Sequence, residues 1–153
     1  MNKYDSYAPY RKTVMISGGF DPCHEGHIEY IQKARSLGNY IVAVISRDDQ
    51  LVAKKGYCFL PLKTRMAVIA HIKGVDEVVV NCDPDEACAK SILKVCPEIF
   101  AKGGDRNLEN LPQSEIDACF QINCEIVCGL GEKINSSSSL AKGSPSFNLA
   151  HKS

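Results

Sequence analysis

Short apolar runs alternate with stretches of helical periodicity along most of this chain. Four runs are rich in β-branched and aromatic residues, as buried parallel strands are, and they cover residues 14–16, 40–45, 77–80 and 98–101. Three stretches between them place apolar residues at helical spacing, beginning after Glu25, at Pro61 and at Asp83. Residues 47–60 are polar and turn-rich and predict a loop. A last helix and strand run from about residue 112 to residue 127.

This alternation of strands and helices predicts an α/β fold, a Rossmann-like doubly wound parallel sheet in a single domain. Ligands bind such sheets beyond the carboxyl ends of the strands. The polar clusters of the chain fall at those ends, at residues 17–27, 46–55, 81–85, 102–107 and 128–139. We expect residues 1–11 to form an arm, residues 12–142 the domain and residues 143–153 a disordered tail.

Composition narrows the class of protein. The 153 residues carry 18 basic and 18 acidic side chains, so there is no global field that favours nucleic acid. The first residues contain no apolar leader, and the longest aliphatic run is far shorter than the ~20 residues of a membrane span. We therefore expect a cytoplasmic protein that binds neither nucleic acid nor membrane.

The eight cysteines contain no C-x-x-C pair, and several lie within apolar stretches. Such thiols act as small hydrophobic side chains, so we expect them to be reduced and structural. Cys119, Cys124 and Cys128 form the one cluster that merits a test for metal.

The segment that follows the first strand suits a phosphate chain. Ser17, Gly18 and Gly19 allow a sharp turn, and the helix that begins near Glu25 presents free N–H groups and the positive end of its dipole. His24 and His27 lie three residues apart on one side of that helical turn, where both imidazoles can donate to phosphate oxygens. Neither the G-x-G-x-x-G nor the G-x-x-x-x-G-K-[ST] pattern is present.

Three further polar segments each have a purely structural interpretation as well as a functional one. Residues 101–106, Ala-Lys-Gly-Gly-Asp-Arg, form either a glycine turn with solvated charges or a surface for a flat ring and phosphate. The serines at 136–139 suit a flexible linker or a phosphate-binding helix start. Lys54 and Lys55 are either solvated or neutralise phosphate.

The segment Gly18-Gly19-Phe20-Asp21-Pro22-Cys23-His24-Glu25-Gly26-His27 resembles the G-x-F-D-x-x-H-x-G-H signature of the cytidylyltransferase-like nucleotidyltransferase superfamily at every signature position. Lys-Gly-Gly-Asp after the fourth strand is similar to the heptose 1-phosphate adenylyltransferases of that superfamily, where it lies against the base. Arg65 matches the arginine of their P-x-x-x-R pattern. The serine cluster resembles the superfamily's I-S-[ST]-T-x-I motif, with serine for threonine and no basic residue directly after it, a charge that Lys133 could supply.

The resemblance implies transfer of a nucleoside monophosphate, AMP in preference to CMP, from ATP or CTP to a phosphorylated small molecule such as a sugar 1-phosphate. Pyrophosphate leaves, and Mg²⁺ neutralises it. A CTP-dependent glycerol or alcohol phosphate cytidylyltransferase and a non-catalytic nucleotide-binding module are the alternatives, and a homodimer is possible. The implied catalytic residues are His24, His27 and Lys55, and Arg65 and Lys54 are implied for the acceptor. The implied nucleotide-binding residues are Ser17, Gly18, Gly19, Phe20, Asp21, Gly26, Lys102, Gly103, Gly104, Asp105, Ser136, Ser137 and Ser138.

Overall fold

A computed structural model describes residues 10–104 and 106–130 of the protein. Five strands and five helices occur in this part of the chain, with two helices between the second and third strands and one helix between each other successive pair. The strands are β1 (Thr13–Gly18), β2 (Tyr40–Ile45), β3 (Glu77–Val80), β4 (Ile99–Gly103) and β5 (Glu125–Leu130), and the helices are α1 (Glu25–Arg35), α2 (Asp48–Lys55), α3 (Leu62–Ala70), α4 (Ala89–Val95) and α5 (Gln113–Gln121). The strands form one sheet in the order β3-β2-β1-β4-β5, and every neighbouring pair is parallel. The predicted doubly wound α/β fold is confirmed.

Helices cover both faces of the sheet, so successive residues of β1 enter different cores. Val14 and Ile16 pack in a core that includes Ile31 of α1 and Ile69 of α3. Met15 points to the other face, where the core includes residues of α4 and α5. Because both faces are buried, the strands carry the unbroken apolar runs that the sequence displays. No helix in the described ranges is long and apolar enough to cross a bilayer.

The predicted loop at residues 47–60 is wrong in its first half, because residues Asp48–Lys55 form α2. The sequence features that identify this helix lie at its two ends and not in an apolar stripe. Asp48 and Asp49 occupy the first turn, Lys54 and Lys55 the last, and Gly56 ends the helix in a left-handed conformation at φ 86°.

The helix predicted from Asp83 begins later, at Ala89. The Asp83 carboxylate is buried and accepts hydrogen bonds from the backbone N–H groups of Lys90 (2.8 Å) and Ser91 (3.0 Å). Asp83 therefore supports the first turn of α4 from outside it, because its side chain satisfies N–H groups that have no partner within the helix.

The sheet opens between β1 and β4. These strands pair only at Val14–Ile99 and Met15–Phe100. Beyond that point the buried Tyr30 hydroxyl of α1 bridges them, since it accepts from the Ser17 N–H (3.2 Å) and donates to the Ala101 carbonyl. The chain leaves β1 towards β2 on one side and reaches β4 on the other, so this gap is the switch point at which ligands bind parallel sheets.

Tyr30→Phe is expected to lower the free energy of unfolding by about 1–3 kcal/mol, because the Ser17 N–H and the Ala101 carbonyl lose their shared partner. Urea unfolding measures the change. Tyr40→Phe is the matched control, because its hydroxyl contacts Glu77 at the exposed surface. Equal losses of stability in the two variants would contradict a bridging role for Tyr30.

Candidate active site

The loop from β1 to α1 packs closely against α2. Phe20 is buried, with a left-handed backbone at φ 50°, and its ring meets the His27 ring edge-on at 5.0 Å between centroids. A Cβ atom on Gly19 would lie 2.6 Å from Cδ2 of Leu51. Glycine at this position therefore permits the close approach of α2 to the loop.

Asp21 ties this loop to residues 56–60. Its buried carboxylate accepts hydrogen bonds from the N–H groups of Phe59 (2.7 Å) and Leu60 (2.6 Å). Lys55 Nζ lies 3.5 Å from the same carboxylate and donates to the Asp21 carbonyl at 3.2 Å. Through these contacts Asp21 holds the loop against the segment that follows α2.

Arg65 joins four segments from beneath the loop. Its side chain has no exposed surface. The guanidinium donates to the carbonyls of Leu60 (2.8 Å), Gly19 (3.0 Å) and Ser46 (2.6 Å). It also donates to the Asp48 carboxylate at 2.6 Å. Contact with the acceptor was expected for Arg65, but its donors face the interior, and the geometry gives it a positioning role.

His24 and His27 cap α1 reciprocally. The His24 Nδ1 accepts from the Gly26 N–H at 3.1 Å, and the His27 Nδ1 accepts from the His24 N–H at 3.2 Å. The two rings lie 4.0 Å apart between centroids. The Gly26 N–H was expected to face phosphate, but it is taken by His24. The first turn of α1 therefore presents the two imidazoles to a ligand instead of the Gly26 N–H.

The capping bonds also fix the proton on each ring. Burial and the nearby charges of His24 and Lys55 lower the pKa of His27 to about 3, and burial lowers the pKa of His24. Both rings are thus neutral at neutral pH. Because each Nδ1 accepts a hydrogen bond, each proton resides on Nε2, which is a donor. The His24 Nε2 is buried and has no hydrogen-bond partner among the described residues, an arrangement that suits an absent ligand oxygen.

The lowered pKa of His27 makes stability depend on pH. Between about pH 6.5 and about pH 3 the unfolded chain protonates His27 and the folded protein does not, so the unfolded state binds more protons and stability falls with falling pH. We expect His27→Gln, whose side chain can still cap α1, to lose less stability than the wild type between about pH 7 and about pH 4. Urea midpoints at each pH test this. His71→Gln, at an exposed position, is the control for the substitution itself, and a wild-type slope in His27→Gln would contradict the assignment.

Three cations approach one another beside the loop. Lys54, Lys102 and Arg106 line a cavity of about 170 Å³ together with Ser17. Lys102 Nζ donates to Ser17 Oγ at 3.0 Å. Although part of its side chain is exposed, desolvation lowers the pKa of Lys54, and the charges of Arg106 and Lys102 lower it further. Like charges held together favour an anion between them.

Lys54 and Lys55 are adjacent in the chain but lie in different parts of the site. Lys54 lines the cavity, whereas Lys55 reaches the Asp21 carboxylate, and its Nζ lies 4.9 Å from the centroid of the Tyr57 ring. The position of Lys55 at the end of α2 also brings its charge close enough to His27 to lower that residue's pKa.

The Lys-Gly-Gly segment is partly strand. Gly103 ends β4, and a Cβ there would lie 3.0 Å from the Tyr30 ring and 3.1 Å from the Leu130 carbonyl oxygen. Gly104 is left-handed at φ 63° and donates from its N–H to the Leu130 carbonyl at 3.1 Å. This part of the segment is thus packed against β5. Asp105, Ser136, Ser137 and Ser138 lie outside the described residues.

The donor set for a metal ion is sparse. No group of three or more histidine, cysteine, aspartate or glutamate side chains suited to a metal occurs in residues 10–104 and 106–130. All eight cysteines are free, and Cys88, Cys119 and Cys124 are buried. A magnesium ion at this site would therefore take most of its ligands from a bound phosphate and water rather than from these side chains.

One buried acid at the site was missed by sequence reasoning. Glu115 of α5 is 3% exposed and lines the same cavity as Lys54 and Lys102. Its position in the chain, an isolated glutamate in the first turn of an amphipathic helix, is typical of a solvated side chain, so no sequence signal distinguished it.

Sequence comparison matches most of the chain to one family of proteins. The family model described as cytidylyltransferase-like matches residues 15–138. The bifunctional protein HldE of Pasteurella multocida is 34% identical over 106 residues, which cover 68% of this chain and 22% of that protein. The FAD synthase of Ferroglobus placidus is 32% identical over 98 residues, 64% of this chain and 62% of that enzyme. The chain thus spans about a fifth of the length of this HldE relative.

A solved structure gives the same architecture. The lipopolysaccharide core biosynthesis protein from Thermoplasma volcanium superposes with a TM-score of 0.68 at 27% identity, covering 80% of this chain and 98% of that one. The family match begins within β1, at residue 15, and includes the two histidines and Lys102. The chain belongs to the cytidylyltransferase-like family.

Proposed function

We propose that this protein transfers a nucleoside monophosphate from a nucleoside triphosphate to a phosphorylated small molecule and releases pyrophosphate. The observation that carries the proposal is the pair of neutral imidazoles: each Nδ1 is occupied by a backbone N–H, and the buried Nε2 of His24 has no hydrogen-bond partner among the described residues. Such preorganised donors stabilise charge that develops on phosphate oxygens.

The reaction requires little covalent chemistry from the protein. A phosphate monoester is mostly dianionic at neutral pH, since its second pKa is about 6, so an acceptor phosphate can attack the α-phosphorus without a general base. A new oxygen–phosphorus bond forms, the bond to the pyrophosphate oxygen breaks, and pyrophosphate carries away the electron pair. Catalysis then consists of orientation and charge stabilisation.

The side chains divide these tasks. His24 and His27 donate to oxygens of the α- and β-phosphates, and the loop at Ser17–Phe20 orients the α-phosphate. Lys54 and Lys102, which line the cavity beside Ser17, neutralise the two phosphates as they approach. Lys55 acts from the Asp21 side, where it holds the loop and contributes positive charge.

Adenylyl transfer is favoured over cytidylyl transfer. Lys102, Gly103 and Gly104 match the Lys-Gly-Gly of heptose 1-phosphate adenylyltransferases, which the family resemblance associates with the base. The HldE and FAD synthase relatives support the same choice, since FAD itself contains an adenylyl group. Adenylyl transfer of this kind implies a phosphorylated sugar or alcohol as the acceptor.

A pyrophosphate-release screen tests the proposal. ATP and CTP, each with Mg²⁺, are paired with a panel of sugar, polyol and alcohol phosphates, and release is followed with a coupled phosphate assay. We expect release with ATP and at least one phosphorylated acceptor, and none when the unphosphorylated alcohol replaces that acceptor. Tight binding of a nucleotide without release in any pair would favour a non-catalytic nucleotide-binding module.

A further inference from the structure

The cavity beside the phosphate loop contains a buried carboxyl group as well as cations. It lies at the carboxyl ends of the strands, on the face covered by α4 and α5, and has a volume of about 170 Å³. Lys54, Lys102, Arg106 and Glu115 all contribute to its lining. The cations account for an anionic group in this cavity, whereas a buried acid among them needs a separate explanation.

Within the described residues, one oxygen of Glu115 has hydrogen-bond partners and the other has none. Oε2 accepts a hydrogen bond from the Cys88 N–H at 3.1 Å and is approached by the Cys88 thiol at 3.4 Å. Oε1 is buried and has no hydrogen-bond partner among the described residues. Buried polar atoms are nearly always paired, so an unpaired oxygen on a cavity wall indicates a donor that arrives with the ligand.

The charges around Glu115 decide which donor that is. An ammonium group in the same cavity would meet Lys54, Lys102 and Arg106. Glu86 also lines the cavity, but the three cations outnumber the two carboxylates, so the net effect on an ammonium group is repulsion. A hydroxyl group donates to a carboxylate without adding charge, and a phosphate on the same molecule meets the three cations. A polyol or sugar phosphate satisfies both requirements in one molecule.

We propose that Glu115 is a specificity-determining residue that accepts a hydrogen bond from a hydroxyl group of a polyol or sugar phosphate acceptor, whose phosphate lies among Lys54, Lys102 and Arg106. The assignment of this ligand as the acceptor rests on the proposed nucleotidyl transfer. Its recognition by Glu115 can be measured by binding alone.

Two substitutions separate ligand recognition from support of α4. In Glu115→Gln the Cys88 N–H still needs an acceptor, so the amide oxygen takes that place and the NH₂ group replaces Oε1. This variant keeps the fold contact but can no longer accept from the ligand. Glu115→Leu removes both oxygens. Asp117→Asn, at an exposed position on the same helix, is the matched control.

The experiment measures binding by titration calorimetry without nucleotide, using glycerol 3-phosphate, several sugar 1-phosphates, their monodeoxy analogues and 2-aminoethyl phosphate. We expect at least one hydroxylated phosphate to bind the wild type and Asp117→Asn equally, and to bind Glu115→Gln about tenfold more weakly. Its deoxy analogue should bind the wild type about tenfold more weakly, and in Glu115→Leu the two ligands should differ by less than about twofold.

Any one of three results would overturn the proposal. These are equal affinity in the wild type and both Glu115 variants, tighter binding of 2-aminoethyl phosphate than of glycerol 3-phosphate, and no binding of any polyol or sugar phosphate to the wild type.

Pyrophosphate release, measured on the same variants, distinguishes failure of this proposal from failure of the proposed nucleotidyl transfer. Release that does not change in Glu115→Gln refutes the role of Glu115 and leaves nucleotidyl transfer standing. Glu115-dependent binding without any release refutes transfer and leaves the recognition site standing.

Discussion

Replacing His27 with alanine is expected to lower the rate of nucleotidyl transfer by about 100-fold or more while the protein stays folded. The loss follows from the removal of one Nε2 donor that is positioned before the reaction begins. The His27 ring is held by the His24 N–H at Nδ1 and by a T-shaped contact with the Phe20 ring, so its donor needs no reorganisation during the reaction. Steady-state pyrophosphate release at saturating substrates measures the effect.

The partner histidine provides an internal check. His24→Ala should cause a defect of similar size, and the double variant should be little worse than either single one, because the two rings act as a unit. His71→Ala is the control, since His71 is exposed and contacts the Ala67 carbonyl near the end of α3. Turnover close to the wild-type value in folded His27→Ala protein would remove the histidines from the catalytic machinery.

Arg65→Ala is expected to lower the free energy of unfolding by about 3–5 kcal/mol. The substitution leaves the carbonyls of Gly19, Ser46 and Leu60 without their donor and releases the Asp48 carboxylate. The Asp48 carboxylate is half-exposed and its ion pair contributes little, so most of the loss comes from the three part-buried carbonyls that lose a charged donor. Urea unfolding followed by circular dichroism measures the change in midpoint.

Matched variants separate positioning from substrate contact. Lys63→Ala, exposed on the same helix, should change stability by less than about 0.5 kcal/mol. Arg65→Lys keeps the charge but cannot reach all four acceptors, so it should recover only part of the loss. A stable Arg65→Ala protein with a raised KM for the acceptor alone would restore the substrate contact that the sequence pattern implies.

The fold was accessible from the sequence because parallel strands buried on both faces are apolar without interruption. Residues 40–45 are an example, since all but Tyr40 are buried in β2. Helix α2 was missed for the opposite reason. Most of its residues are exposed, and only Gln50 and Leu51 are buried, so it carries no apolar stripe to detect. Its acidic start, basic end and terminal Gly56 were the usable signals.

The candidate site was predictable where chemistry depends on spacing and not where it depends on long-range packing. Three residues of separation placed His24 and His27 on one helical turn, but the sequence could not say that each Nδ1 would cap the backbone and leave each Nε2 as the donor. The divergent directions of Lys54 and Lys55 follow from the presence of α2. Glu115 reaches the cavity through the packing of α5 on α4, which no local pattern encodes.

The most direct test of nucleotidyl transfer follows the α-phosphate of the nucleotide. ATP labelled at the α-phosphate, and separately at the γ-phosphate, is incubated with the wild-type protein and the best acceptor from the pyrophosphate screen. We expect the α-label to appear in the acceptor product, the γ-label to appear only in pyrophosphate, and both signals to fall about 100-fold in His27→Ala. Label from the γ-phosphate in the acceptor, or transfer of the α-label that is undiminished in His27→Ala, would contradict this mechanism.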